Sequence, residues 1–267
     1  ATLLEEGKNS PADVFFAQDP GGLGAVVNLL STLPDNILTS VPTWARSPDG
    51  DWVGVSGRAR VVVYNTQSVD TSDMPETMEG FTDPRWQGRI GWPPANGSFQ
   101  AMVTAMRVQW GEVRTRDWLE GILANKPVSY PKNTPTVMAT ATGEIEIGFV
   151  NHYYLHRFLQ EQGESFEARN HYLVGGGPGS IVLVAGAGIL ETTENREAAE
   201  KFMKFLLSPV AQQYFAAQTF EYPLVDGVVT NSILAPLSEL HNPDVDMASL
   251  TDLKGTQALL RDLGIIP

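Results

Sequence analysis

Short apolar runs alternate with helical patterns along the whole chain, and no internal repeat interrupts them. That order selects an α/β fold over a helical bundle or an all-β sandwich. Ala12 to Ala17 reads as a buried strand after the turn Asn9-Ser-Pro11. Gln18-Asp-Pro-Gly-Gly22 follows where a strand-to-helix loop belongs, the position at which open parallel sheets bind ligands. Trp52 to Tyr64 contains a strand whose alternation sets Arg58, Arg60 and Val62 on one face and Ala59, Val61 and Val63 on the other. After a polar stretch punctuated by Pro and Gly comes the apolar segment Ile90-Gly-Trp92, then a helix from Phe99 to Trp110 and a second near Glu112 to Leu123. Pro135 to Thr142 reads as a third helix, Ile145 to Val150 as a strand, and another helix follows from His152. Ile181 to Ala185 is the last clear strand. Two amphipathic helices, Glu197 to Leu207 and Pro209 to Ala217, are separated by Ser208, a cap before Pro at the first helical position.

A length of 267 residues suits one large domain or two ordinary ones. No stretch reads as a flexible linker, so two lobes would be joined through extended strands and would be discontinuous. Val55 to Val63 and Ile181 to Val184, both apolar and flanked by Gly, are the candidates for those crossings.

Charge and cysteine content narrow the function. With 18 Lys and Arg against 31 Asp and Glu, the net charge of −13 disfavours nucleic acid and anionic membrane surfaces as partners, because both are bound chiefly through basic side chains. The lack of any cysteine removes disulfides, thiolate metal sites and thiol nucleophiles. The longest uncharged apolar stretch, Ile181 to Leu190, is too short for a membrane helix, which takes about 20 residues. The opening segment Ala1 to Gly7 reads as the last turns of a helix with no start, so we expect upstream sequence before it.

Two segments carry chemistry. Asn96-Gly-Ser98 stands directly before a helix, where backbone N–H groups hold anions. In Asn151-His-Tyr-Tyr-Leu-His-Arg-Phe-Leu159, the residues Leu155, Phe158, Leu159 and Gln162 form one helical stripe. Tyr153 lies almost opposite that stripe and Tyr154 on its flank, so a plain core role suits Tyr154 better than Tyr153. With Asn151 as cap, both phenols sit at the positive helix end, where phenolates are favoured. A tyrosine that titrates near ~10 becomes a ligand at neutral pH only to a cation that displaces its proton, and ferric iron is a hard cation of that kind. The i, i+4 pair His152 and His156 invites a zinc-enzyme reading. Tyr153, however, stands where the catalytic Glu of H-E-x-x-H belongs, which leaves no general base. His156 and His171 read as structural or solvated. Gly175 to Gly179 lacks the Lys-Ser/Thr of a phosphate loop and reads as a flexible turn, and no Gly-x-Ser-x-Gly is present. Arg58 and Arg60 suit either an anion in a cleft or structural ion pairs.

The ordered set Ser10-Pro-Ala-Asp-Val-Phe15, Trp52 to Asn65, Trp86-Gln-Gly-Arg-Ile-Gly91, Asn96-Gly-Ser-Phe99, Gly143-Glu144, Asn151-His-Tyr-Tyr154 and Glu221-Tyr-Pro-Leu224 resembles the bacterial ferric-ion-binding proteins, the extracytoplasmic components of iron ABC transporters. The resemblance runs through nearly the whole chain, and the tyrosine pair with its preceding Asn is its specific part. It implies a two-lobed type II periplasmic-binding fold with an inter-lobe cleft, whose first strand-helix segment is absent here. The expected lobes are residues 1–60 with 183–232, and 61–182 with 233–267. It implies a non-enzymatic Fe(III) carrier in which Tyr153 and Tyr154 supply phenolates, while Asn96, Gly97, Ser98, Asn133 and Asn151 surround a synergistic phosphate or carbonate. Gln18 occupies the place of a glutamate ligand in the best-known branch, which makes Gln18 or neighbouring Asp19 a metal ligand or a supporting residue. The same resemblance implies a monomer that is periplasmic, or extracellular and membrane-anchored, and that delivers iron to a permease. The alternatives are a carrier of an organic or phosphorus-containing anion, anchored by Arg58, Arg60 and Asn96 to Ser98, and a metalloenzyme built on His152 and His156.

Overall fold

The structure is a computed structural model that describes residues 2–267. In chain order the elements are α1 (Thr2–Glu6), β1 (Val14–Ala17), α2 (Pro20–Gly24), β2 (Leu30–Ser31), α3 (Asp35–Leu38), β3 (Val53–Asn65), β4 (Ile90–Trp92), α4 (Gly97–Ala124), β5 (Val128–Ser129), α5 (Asn133–Ala141), β6 (Ile147–Asn151), α6 (Tyr153–Gln162), β7 (Ala168–His171), β8 (Val182–Leu190), α7 (Arg196–Leu206), α8 (Pro209–Tyr214), β9 (Tyr222–Pro223) and α9 (Leu253–Asp262). Short single turns join them. No helix among the described residues is long and apolar enough to cross a membrane. Ala1 lies outside the described residues, and the helical reading of the opening segment corresponds to α1.

The chain forms two compact units. One comprises the residues up to Gly57 with Leu183–Leu234 and Asp244–Leu253, the other Arg58–Val182, Ala235–Pro243 and Lys254–Pro267. Relative to the expected division, Arg58 to Arg60 fall in the second unit, and Ile233, Leu234 and Asp244–Leu253 in the first. Two of these differences have local causes. Arg60 donates its backbone N–H to Ile181 and pairs in register with Asn151, which ties it to the second unit.

The segment 244–253 is held in the first unit by the turn Met247–Thr251, which packs against α2. A Cβ at Gly24 would lie 2.2 Å from Cβ of Thr251, so only glycine permits that approach. Gly24→Ala is expected to destabilise the protein by about 1–3 kcal/mol, because the helix and the turn must separate. A urea midpoint unchanged in the variant would refute this packing.

In the first unit, β8 runs antiparallel to β1, with Phe16 opposite Ala187, and to β2, with Leu30 opposite Leu190. The opening half of β3 pairs with β9. In the second unit, the closing half of β3 pairs antiparallel with β6 and β7, while β4 runs parallel to both β6 and β5. The sheet is therefore mixed. The two-residue alternation in β3 divides its side chains between separate cores: Val62 joins Trp86, Trp92, Phe99, Trp118 and Phe149 on one face, and Val61 and Val63 join Val137, Val150, Leu155 and Phe166 on the other. With helices over both faces, even the arginines of β3 are buried, Arg58 at 6% and Arg60 at 1% exposure.

Helix α4 is two helices in sequence, broken at Gly111, whose φ of 80° is open to glycine at little cost. That break is the reason Phe99 to Trp110 and Glu112 to Leu123 read as separate helices. The expected turn at Gly175 to Gly179 leads into β8: Pro178, Gly179 and Ser180 form a buried single turn, with Ser180 Oγ donating to the Leu173 carbonyl at 2.9 Å.

Candidate functional site

Strand β6 ends at Asn151, and α6 begins at Tyr153 after His152, which already has helical backbone angles. Asn151 does not cap the helix as expected. Its Oδ1 accepts a hydrogen bond from Arg60 Nη1 at 2.9 Å, and no side chain caps α6. The positive helix end is thus left to the tyrosines. Tyr153 is the more buried of the two, at 4% exposure, whereas Tyr154 is half-buried against the Val61 and Val150 core. Their rings stack with centroids 4.2 Å apart and planes inclined by 29°.

Guanidinium groups surround the pair. Arg157 Cζ stands 4.8 Å from the Tyr153 centroid and 5.7 Å from that of Tyr154, and Arg58 Cζ stands 5.5 Å from Tyr153. Cations over the ring faces are attracted by the π quadrupole. The sequence reading passed over Arg157, although its spacing of four and three residues from the tyrosines on one helix was the available signal.

The second set of expected residues forms one polar network in the same unit. Asn96 caps α4, whose first residue is Gly97. Asn96 Oδ1 accepts from the Ser98 backbone N–H at 3.1 Å, from Ser98 Oγ at 2.6 Å and from Asn133 Nδ2 at 3.3 Å. Ser98 Oγ in turn accepts from Arg60 Nη1 and from Asn133 Nδ2, both at 3.3 Å. Two of these side chains retain unused capacity: Asn133 Oδ1 and the Nε and Nη2 donors of Arg60 are buried without a hydrogen-bond partner. Burial pulls the Arg60 guanidinium down to about 9, against the raising effect of the Tyr153 and Tyr154 charges. Nε and Nη2 form the edge of a guanidinium that grips an oxyanion through two parallel hydrogen bonds. Arg60 also lines a cavity of about 60 Å³ with Ser180, Glu239 and His241.

The remaining candidates are placed separately. Gln18 is exposed after β1, and Asp19 caps α2, its Oδ1 accepting from the Gly22 N–H at 2.9 Å. Both belong to the first unit.

His152 is fully buried, and its Nδ1 accepts the Ala59 backbone N–H at 3.1 Å, which commits that nitrogen. His152 and His156 have ring centroids 6.3 Å apart, and among the described residues no three His, Cys, Asp or Glu gather into a metal-binding group. A zinc enzyme finds no support there. Burial lowers His156 to about 4 from an ordinary value near ~6.5. Its neutral form is favoured in the folded state, so this contribution to stability is complete above the unfolded value and is lost as pH falls from ~6.5 toward 4. His156→Leu should therefore flatten the acid side of the stability curve, by up to ~3 kcal/mol. Parallel urea titrations at pH 7 and pH 4.5 measure it, and an equal acid loss in both proteins would refute it.

The family of bacterial extracellular solute-binding proteins matches residues 9–247. The chain is 34% identical to the major ferric iron-binding protein of Neisseria meningitidis serogroup B, over 98% of this chain and 81% of that protein. The structure of iron-bound HitA from Pseudomonas aeruginosa matches with a TM-score of 0.93 at 32% identity, covering 98% of this chain and 86% of that one. A Trichodesmium IdiA (FutA) protein in complex with iron and citrate matches with a TM-score of 0.89 at 29% identity, covering 99% and 87%.

Proposed function

We infer that this chain, which belongs to the bacterial extracellular solute-binding protein family and has the type II periplasmic-binding fold, binds ferric ion outside the cytoplasm and delivers it to an ABC transporter permease. Proteins of this family bind solutes and are not enzymes. The observation that carries the ferric reading is the stacked Tyr153–Tyr154 pair at an uncapped helix start, beside Arg157 and Arg58.

Charge explains why such a site takes an anion with its iron. Two phenolates offset two of the three charges on ferric ion, and the buried Arg60 guanidinium adds another positive charge beside them. An oxyanion balances both. The free Nε–Nη2 edge of Arg60 supplies two donors for it, and Ser98 and Asn151 hold that guanidinium in place, with Asn133 donating to Ser98 behind them. Phosphate and carbonate both have the required adjacent oxygens. So has a carboxylate such as the citrate named with the Trichodesmium relative. Gln18, or Asp19 through its second carboxylate oxygen, is proposed as a further ligand or supporting residue. We place the protein in the periplasm, or outside the cell on a membrane anchor, acting as a monomer.

Iron supplied as its nitrilotriacetate complex, with phosphate, carbonate or neither, tests the reading. Tyrosinate-to-ferric charge transfer should turn the protein orange to red, most strongly when an oxyanion is present. A colourless protein that retains no iron after desalting would reject the ferric assignment and leave a carrier of the anion alone.

A further inference from the structure

One residue separates the end of β6 at Asn151 from the start of α6 at Tyr153, and that residue, His152, is held by hydrogen bonds to two other strands, β3 and β7. In the antiparallel register of β3 and β6, Arg60 lies opposite Asn151, which makes Ala59 and His152 the next pair in line. A hydrogen-bonded pair of an antiparallel ladder exchanges two backbone N–H to carbonyl bonds. Half of that exchange is made here, since the His152 N–H donates to the Ala59 carbonyl at 3.0 Å. The other half is replaced. His152 has helical backbone angles, φ −57° and ψ −40°, and its carbonyl accepts instead from Asn170 Nδ2 of β7 at 2.8 Å. The Ala59 N–H goes to the imidazole, whose Nδ1 accepts it at 3.1 Å. A ring nitrogen thus takes the place of a strand carbonyl, and the ladder keeps its last rung although the backbone has already turned into a helix.

This rung lies at the centre of the site. Ala59 stands between Arg58, which reaches the Tyr153 ring, and Arg60, which donates to Asn151 Oδ1. The imidazole is fully buried and meets the Tyr153 ring edge-on, with centroids 5.8 Å apart and planes at 87°. No side chain caps α6, so the rung marks where the helix begins. A helix turns about 100° and rises about 1.5 Å per residue, so a start displaced by one residue would carry both phenols to another face. Buried N–H groups are seldom left without an acceptor, so loss of the ring nitrogen would force the end of the strand to readjust.

We propose that His152 is a positioning residue for ferric binding: by accepting the Ala59 N–H on Nδ1 in place of a strand carbonyl, it fixes the residue at which β6 gives way to α6, and with it the orientation of the Tyr153 and Tyr154 phenols. The proposal rests on the ferric reading above and gives His152 no bond to the iron.

Two variants separate positioning from packing. His152→Asn offers its Oδ1 where Nδ1 stands, whereas His152→Leu fills the space with no acceptor. With iron supplied as its nitrilotriacetate complex together with phosphate, the position and strength of the tyrosinate-to-ferric band report how the phenolates meet the metal. His152→Leu should shift or weaken that band and lower ferric affinity by about 10–100-fold, the range for residues that orient metal ligands. His152→Asn should keep the parent band and recover most of that affinity. In the iron-free proteins, amide exchange at Ala59 should be slow in the parent and in His152→Asn, and at least about tenfold faster in His152→Leu.

A residue that merely filled the core would cost both variants stability and leave the band of each where the parent has it. That result overturns the proposal. So does an Ala59 amide equally protected in all three proteins, or a His152→Asn protein whose band and affinity are lost as fully as those of His152→Leu. If His152→Leu does not fold, His152→Asn decides alone: a parent-like band with a protected Ala59 amide supports the proposal, and a displaced band or an unprotected amide overturns it. A parent that stays colourless with iron rejects the ferric reading and this inference together, whereas a coloured parent with unmoved variants rejects this inference alone.

Discussion

Tyr153→Phe is expected to diminish and shift the orange-to-red absorption of the iron-loaded protein, leaving only the Tyr154 contribution, and to weaken ferric binding by more than the 10–100-fold typical of a lost supporting residue. The reason is the chemistry of one atom. Only a phenolate oxygen turns this side chain into an anionic donor, and phenylalanine retains everything else: the buried ring, the 4.2 Å stack on Tyr154 and the contacts with Arg58 and Arg157. Folding should therefore survive, with a urea midpoint within about 1 kcal/mol of the parent, since one hydroxyl is lost from a site that includes no cavity-forming change. Tyr154→Phe should behave alike for colour. If both single variants keep the absorption band and the affinity, the tyrosines are core residues and the ferric reading fails with them.

What was legible in the sequence is what depends on neighbours along the chain. The alternation in β3 announced that Arg60 and Val62 share a face, and the structure places Val62 in one core and Val61 and Val63 in the other. Ser208 before Pro209 read as a cap, and its Oγ accepts the Ala211 N–H at 3.3 Å. The Asn96-Gly-Ser98 helix start was equally local. Asn151 was misread as a cap because its actual partner, Arg60, is distant in sequence, and a side chain claimed across a sheet leaves no trace in the local pattern. The same holds for Asn133, which reaches Asn96 and Ser98 from another helix. Tyr154 packs on the Val61 and Val150 core, as its place on the flank of the stripe implies, but a helical stripe identifies the face toward one core and not what covers the opposite face. Here Arg58 and Arg157 cover Tyr153. The segment 244–253 was assigned to the wrong unit because nothing near Thr251 reveals that Gly24 leaves room for it.

Arg60 sets the other large expected effect, on anion dependence. A guanidinium at 1% exposure carries a heavy desolvation penalty, visible in its depressed proton affinity, and two of its donors still lack partners. An oxyanion on the Nε–Nη2 edge relieves both deficits at once, so phosphate should raise the melting temperature of the iron-free protein and should tighten iron binding further. Arg60→Lys separates charge from geometry. Lysine keeps the positive charge but offers no planar fork, and such exchanges are not conservative where two oxygens are held together. The variant should lose about tenfold or more of the gain in iron affinity that phosphate confers, and most of the phosphate-induced rise in melting temperature. Arg60→Leu is a harsher probe, since it leaves Asn151 Oδ1 buried without its donor at a cost of about 1–3 kcal/mol. Iron titrations of the parent and Arg60→Lys with and without phosphate decide the matter. A phosphate dependence identical in the two proteins, at matched stability, would remove Arg60 from the anion's coordination and leave Ser98, Asn133 and the start of α4 to hold it alone.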